Sequence, residues 1–441
     1  MFCHIRNGFL LCIALLVPWS LVHAETKISD KDRDVTIRTI ALYVSDLYYD
    51  EAQANEISQS VLDAFANGEF DSIDSAEALA DALTSRLVTR DRHFSVKFIG
   101  RQAVEAIMSG ASASDNNRTT DPQAALRRIN FGFPSVAILP GNVGYIEANR
   151  FYPVAESRDA ITAALDFIAN TDAIIFDVRQ NNGGPPGTVQ FLISHLLSAE
   201  EPTLINTFIS RDSEEAAQMW TLPSHPSGNR PTTPVVVLTS GRTGSAAEAF
   251  AYHLQAMQRA TLIGETTGGA GNPGGEYLTD EGFSIFISTE STRNPITQSN
   301  WEGVGVVPDI PVSSEDALDS ARQYLYGELL KAASDPSQRL SLEWASEMLA
   351  NDLSPTLLSE EALRRYVGDF GSRGTYLDDS SFMLSREGAN PSRLRPLGND
   401  RFSFMDDDRY RIVFHFDRRN RLESMDMMMF DGSVTTYPAV R

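Results

Sequence analysis

The run Leu238-Thr239-Ser240-Gly241-Arg242-Thr243-Gly244-Ser245-Ala246-Ala247-Glu248 carries an apolar strand into a turn of small residues and then into a helix starting at Ser245. A hydroxyl there faces the positive end of a helix dipole, where free backbone N–H groups can stabilise an alkoxide and a developing oxyanion. The same residues also read as plain structure: Ser245-x-x-Glu248 is a capping box, and a capping serine needs no chemical role. The motif is not a G-x-S-x-G elbow, which argues against an α/β-hydrolase. A second stretch, Ile174-Ile175-Phe176-Asp177-Val178-Arg179-Gln180-Asn181-Asn182-Gly183-Gly184-Pro185, ends a buried strand in two glycines just before a helix. Amides in such a turn can approach a ligand closely. The bland alternative is a tight strand-to-helix turn with Asp177 and Arg179 paired as scaffold.

A serine nucleophile requires a base, and the chain has seven histidines. His4 and His23 lie in the N-terminal leader described below. His195 and His253 fall inside helical patterns, His225 in a Ser-Pro loop, and His415 on an alternating strand. His93 remains, on the polar face of Arg92-His93-Phe94-Ser95-Val96-Lys97-Phe98, where Phe94, Val96 and Phe98 share the opposite face. Any one histidine is more often packing than catalysis. The four lysines are Lys27, Lys31, Lys97 and Lys331, so a Ser/Lys dyad would use Lys97, on the same face as His93. Gly268-Gly269-Ala270-Gly271-Asn272-Pro273-Gly274-Gly275 lacks the Lys-Ser/Thr of a phosphate loop and reads as a flexible wall or lid. No His/Cys/carboxylate spacing suggests a metal, so neither metal nor cofactor is expected.

These groups need a scaffold. Stripes at three- and four-residue spacing through Ile37 to Tyr48 and Ile57 to Phe65 predict helices, and Asp74 with Glu77 suggests the capped start of a third. From about 135 to 333 strand and helix patterns alternate: strands at 143–146, 172–178, 234–238 and 261–263, and helices at 159–170, 188–197 and 245–258. That alternation implies an α/β core with a parallel sheet. From 363 the period becomes two, with strands at 382–384, 401–404, 411–416 and 434–437 and a hairpin turn at Asp431-Gly432. The expected organisation is a leader at 1–24, a helical domain at 25–98, a linker at 99–134, the core at 135–333, a helical linker at 334–362 and an antiparallel β domain at 363–441.

Chain length and charge bound the rest. The 441 residues carry 37 Lys and Arg against 59 Asp and Glu, a net charge of −22, which argues against nucleic-acid and anionic-lipid partners. Arg6, the apolar run Phe9 to Val17 and the small-residue site ending at Ala24 read as an export signal. Nine residues rise only about 14 Å as a helix, too short to span a bilayer. Both cysteines, Cys3 and Cys12, would leave with it, so the mature chain would be thiol-free, without an integral membrane segment, and periplasmic or secreted.

Taken in order, Asp91-Arg92-His93, Leu139-Pro140-Gly141-Asn142-Val143-Gly144-Tyr145, Asp177 to Gly184, Thr243 to Glu248 and Asn300-Trp301-Glu302-Gly303-Val304-Gly305-Val306-Val307-Pro308-Asp309 resemble the serine peptidase superfamily of C-terminal (tail-specific) processing proteases, tricorn protease and interphotoreceptor retinoid-binding protein. The nearest branch looks like bacterial relatives of the retinoid-binding protein. The resemblance implies a crotonase-like βαβ spiral core and a peptide or protein substrate, and leaves oligomerisation open. It implies Ser245 as nucleophile, His93 as base, an oxyanion hole from the amides of Ala246 and of Gly183 or Gly184, and Glu302 as a group orienting the histidine. Arg92 stands where tricorn has the intervening serine of that relay, and the lysine of the processing proteases has no counterpart in the glycine-rich loop. The linker is too short for their peptide-binding PDZ domain. The rival expectation is a non-catalytic carrier of a hydrophobic ligand such as a retinoid or fatty acid.

Overall fold

The computed structural model describes residues 26–109, 122–211, 215–379 and 381–440. The expected leader, with its cleavage site, lies outside them, as does the middle of the expected linker. Helices α1 (Asp30–Leu47), α2 (Glu51–Ala66) and α3 (Ala76–Leu87) open the described chain. Their apolar stripes meet in one cluster that includes Ile37, Ile40, Val44, Val61, Leu79 and Leu83. The third helix is capped by Ser75, whose hydroxyl accepts the Ala78 N–H, one residue later than Asp74 and Glu77 suggested.

Strand β1 (Ser95–Phe98) follows, then short helices α4 (Arg101–Met108) and α5 (Pro122–Arg128). The core then runs β2 (Ser135–Leu139), β3 (Val143–Glu147), α6 (Val154–Phe167), β4 (Ala173–Asp177), α7 (Pro186–Leu196), β5 (Leu204–Ser210), β6 (Ala217–Trp220), β7 (Val235–Thr239), α8 (Ala246–Ala256) and β8 (Thr261–Gly264). It closes with β9 (Gly274–Leu278), β10 (Phe283–Ser288), β11 (Glu290–Arg293), β12 (Ile310–Pro311) and α9 (Ala317–Ala332). The main sheet has the order β12-β8-β7-β4-β3-β2, parallel throughout except for the antiparallel β2. All five residues of β4 and of β7 are buried, as expected of parallel strands covered on both faces. Phe176, Phe191, Phe250 and Leu254 pack on one side of the sheet, and Ile175, Val236, Leu325 and Tyr326 on the other.

Two small antiparallel sheets stand beside the main one. In β1-β10-β9, Ser95 to Phe98 pair with Phe286 to Phe283, and Phe283, Ile285 and Ile287 sink into the cluster formed by the N-terminal helices. The helical region and the core therefore share a sheet and a hydrophobic cluster. The other sheet is β11-β5-β6.

Helix α10 (Pro336–Leu353) and the short α11 (Glu360–Leu363) lead to strands β13 (Gly368–Asp369), β14 (Arg373–Asp378), β15 (Ser381–Arg386), β16 (Ser392–Gly398), β17 (Arg401–Phe404), β18 (Tyr410–Phe416), β19 (Leu422–Met429) and β20 (Val434–Pro438). These form an antiparallel meander in sequence order around Tyr366, Phe370, Phe382, Phe402 and Phe414. The Val440 N–H donates to the Asp369 carbonyl at 2.7 Å, bringing the end of the meander back to its start. No helix among the described residues is long and apolar enough to cross a membrane.

Candidate active site

Parallel strands β4 and β7 lie side by side, so the turns at their C-terminal ends are neighbours, the place where open α/β sheets form ligand sites. The turns are stitched together. Thr243 Oγ1 donates to the Val178 carbonyl at 2.9 Å, Gly244 N–H to Asn181 O at 2.9 Å and Ser240 Oγ to Arg179 O at 2.5 Å. Asp177 and Arg179 form the scaffold pair, with guanidinium to carboxylate at 2.6 Å, and Tyr145 OH donates to Asp177 at 2.8 Å.

At the end of the second turn Ser245 holds φ +50° and ψ −121°, not the extended backbone of an ordinary capping residue. Ser245 and Glu248 do form the capping box read from the sequence, and a non-glycine residue in that backbone region also stores strain that capping alone does not require. Its N–H donates to Glu248 Oε2 at 2.7 Å. Glu248 is fully buried and also accepts from Thr267 Oγ1 and from the amides of Gly269 and Ala270. Burial pushes its carboxyl pKa up, while these donors act the other way.

The first turn packs against the serine. A Cβ on Gly183 would lie 2.8 Å from Ser245 Cβ and 3.0 Å from the Ala246 nitrogen, and one on Gly184 would lie 2.1 Å from the Phe151 carbonyl oxygen. Both glycines have positive φ, +107° and +147°. The Gly183 N–H donates to Asn181 Oδ1 at 2.9 Å. The amides of Gly184 and Ala246 have no such partner among the described residues.

His93 arrives from the other side. Its neighbours are anchored in the helical cluster: Phe94 is buried and stacks on Tyr48 at 5.4 Å, and Tyr48 OH donates to Asp91 Oδ2 at 3.1 Å. Asp91 Oδ1 accepts the His93 N–H at 2.8 Å, and the imidazole rests against Phe286 of β10 at 5.4 Å. His93 Nδ1 is buried without a hydrogen-bond partner among the described residues. Burial lowers the imidazole pKa and the Asp91 charge opposes that shift.

Glu302 completes this side. Its Oε1 accepts the Arg92 N–H at 3.0 Å, and its Oε2 accepts Gly271 N–H at 2.6 Å and Asn272 N–H at 3.1 Å. Burial first, and Asp91 second, push its pKa up to about 7 against those donors. One atom each of Asp91, His93 and Glu302 lies within 4.8 Å of the others, a spacing that linear sequence did not reveal. Such a trio could hold a cation, yet its carboxylate oxygens already accept from backbone N–H groups and the Tyr48 hydroxyl.

The glycine-rich loop is therefore a wall and not a flexible lid: four successive amides, Gly269 to Asn272, donate to Glu248 and Glu302. Ser245, His93, Gly184 and Ala246 all line one cavity of about 470 Å³, whose apolar surface includes Val189, Phe208, Met219, Phe286 and Trp301. Lys97, the alternative base, is exposed, lies 3.5 Å from Glu276 and is outside that lining. His195 and His253 are buried inside α7 and α8, His225 is buried in its loop, and His415 pairs with Asp426. The sequence reading had Glu248 as the capping-box partner of Ser245 without its bonds to the glycine-rich loop, and did not single out the cavity-lining Asn206. The only signal for Asn206 is a polar residue interrupting the apolar pattern of Leu204-Ile205-Asn206-Thr207-Phe208.

Residues 142–312 match the family model described as peptidase family S41. A carboxyl-terminal-processing protease from Synechocystis sp. is 30% identical over 174 residues, covering 38% of this chain and 38% of that protein, so the chain matches well under half of that relative's length. Among solved structures, the photosystem II D1 C-terminal processing protease is 15% identical with a TM-score of 0.41, covering 65% of this chain and 94% of that one. Tricorn protease is 13% identical with a TM-score of 0.43, covering 73% of this chain and 37% of that one.

Proposed function

We propose that the chain is an exported serine-type peptidase with a crotonase-like core, and that Ser245 and His93 are its reacting pair. The observation that carries this reading is that a strained serine at a helix N-terminus and a partly desolvated histidine, held in the turn just before β1 and not in the strand expected over 92–98, line the same cavity. The Ser245 hydroxyl attacks a peptide carbonyl as His93 takes its proton. The oxyanion receives the Gly184 and Ala246 N–H groups, and the start of α8 adds its positive end. Gly183, whose own amide is engaged by Asn181, serves by having no side chain. The imidazolium is stabilised by the neighbouring Asp91 and Glu302 carboxyl groups, then protonates the leaving amine, and water releases the acyl group from Ser245. Every proton transfer is accounted for by these residues and water.

The test is labelling of the purified chain with a fluorophosphonate, alongside turnover of a peptide library. Ser245 should be the modified residue, Ser245→Ala should lose both labelling and turnover, and His93→Ala should lower kcat/KM by at least about a thousandfold. Turnover that survives Ser245→Ala sinks the assignment. Retention of an apolar ligand by a chain that is neither labelled nor active would establish the carrier reading instead. Lys97→Ala should leave turnover within about twofold.

A further inference from the structure

Among the described residues, the lining of the cavity beside Ser245 has, outside the reacting pair, one buried polar side chain whose oxygen is unpaired. Arg150 Nη1 donates to Asn182 Oδ1 at 2.7 Å, Thr292 Oγ1 to Gly271 O at 3.0 Å and Trp301 Nε1 to Ala270 O at 3.0 Å. Ser245 and His93 are the reacting pair. Asn206 also lines the cavity, is 2% exposed, and its Oδ1 has no hydrogen-bond partner among the described residues. Leaving a buried amide oxygen unpaired is costly, so an unpaired group in a cavity wall points to a ligand that pairs it.

The surroundings define that ligand. Asn206 and Phe208 share one face of β5, and Met219 of β6 pairs in register with Asn206. Val189, one turn into α7, and Ala249, one turn into α8, continue an apolar lining toward the serine. A side chain entering here must be apolar along its length and polar at its tip. Asn206 can turn its amide about the terminal torsion without breaking a bond to Oδ1, so a tip that both donates and accepts meets either orientation.

Building on the peptidase reading, we infer that this wall is the specificity pocket for the residue on the acyl side of the scissile bond, and that Asn206 selects tyrosine over phenylalanine there. The phenol pairs the amide while its ring fills the space between Phe208, Met219 and Val189. A phenylalanine ring fills the same space and leaves the amide unpaired, which is the situation in which a site rejects the analogue lacking its hydroxyl.

The experiment compares kcat/KM for two fluorogenic peptides identical except for Tyr or Phe at that position, with fluorophosphonate labelling of Ser245 measured on the same preparation. The tyrosine peptide should be favoured by about tenfold to a hundredfold. In Asn206→Leu, which keeps the volume and removes the amide, the ratio should fall to unity or below, through slower tyrosine and faster phenylalanine cleavage. A ratio near one in the unsubstituted chain overturns the inference whether or not the variant folds, as does a preference that survives Asn206→Leu. If Ser245 is labelled and neither peptide is cut, the pocket assignment fails while the nucleophile stands. If Ser245 is not labelled and no peptide is cut, the peptidase reading fails and takes this inference with it.

Discussion

His93 carries an imidazole whose pKa burial lowers and Asp91 partly restores. In the proposed mechanism His93 must be neutral to act as base, so a lowered pKa extends activity toward acid. The acid limb of the kcat/KM profile should fall below the ordinary histidine value of about 6.5. Asp91→Asn removes the charge that raises the pKa, so the limb should move lower still while kcat drops. Glu302 behaves in the opposite sense. Its pKa rises from the ordinary 4.5 to about 7, so the folded state holds a proton that the unfolded state has lost between those values. The stability it contributes is therefore complete below about pH 4.5 and is lost as pH climbs through about 7. Relative to Glu302→Gln, the parent should lose denaturant resistance over that window, and parallel curves would rule the carboxyl out as the cause. The proposed nucleophile, base and oxyanion-turn glycines stand out in short motifs because each role demands a particular residue type in a particular turn. Asn206 could not, since a lone asparagine in a strand has no spacing signature; its meaning comes from the unpaired oxygen and the partners across the sheet.

At the level of elements, two glycines four residues apart should respond oppositely to the same added methyl. Gly183→Ala places a Cβ against Ser245 at a φ that L-residues avoid, so turnover should fall by at least about a hundredfold, comparable to losing an oxyanion donor, with the fold retained by circular dichroism. Gly187, in the first turn of α7, has nothing within 4 Å of the added carbon. Gly187→Ala should raise stability by about 0.5–1 kcal/mol in denaturant titration with kcat intact. The longer helices and four of the six strands of the main sheet were legible because apolar periodicity is local: the segments read at 143–146, 172–178, 234–238 and 261–263 are β3, β4, β7 and β8, while the edge strands β2 and β12 went unread. Strands β5, β6, β9, β10 and β11 were not. They are short, mixed in polarity or glycine-led, and two of them are held by partners far away in the chain, β10 by β1 and β11 by β5. The cap of α3 slipped by one residue because Asp74 and Ser75 are both competent caps, and only backbone geometry chooses between them.

For the molecule as a whole, buried imidazoles set the response to acid. Burial drives His225 down to about 4, with His195 and Arg158 adding to the shift, and drives His253 down to about 3. Each stays neutral in the fold and takes a proton in the unfolded chain below about pH 6.5, so the stability they contribute is present above that value and lost as pH falls toward 4 and 3. Two imidazoles moved this far outweigh the opposite contribution of Glu302, so the denaturant midpoint should fall between pH 6.5 and 4. His225→Gln should flatten that fall, and an unchanged slope would exclude it. The C-terminal meander was legible as alternating sequence, but its mooring was not. Glu347 of α10 meets both Arg401 and Arg411, Trp344 lies under the Arg411 guanidinium at 4.7 Å, and Asn351 donates to Pro396 O at 3.0 Å.

The pairing of β1 with β10 makes readiness a matter of timing. The imidazole is set in place by chain synthesised nearly two hundred residues later, and its companion carboxyl, Glu302, later again. A growing or still-extended polypeptide thus holds the parts of a cutting device that cannot yet close. On the proposed reading the hazard to its maker is deferred until folding has joined the two ends of that span.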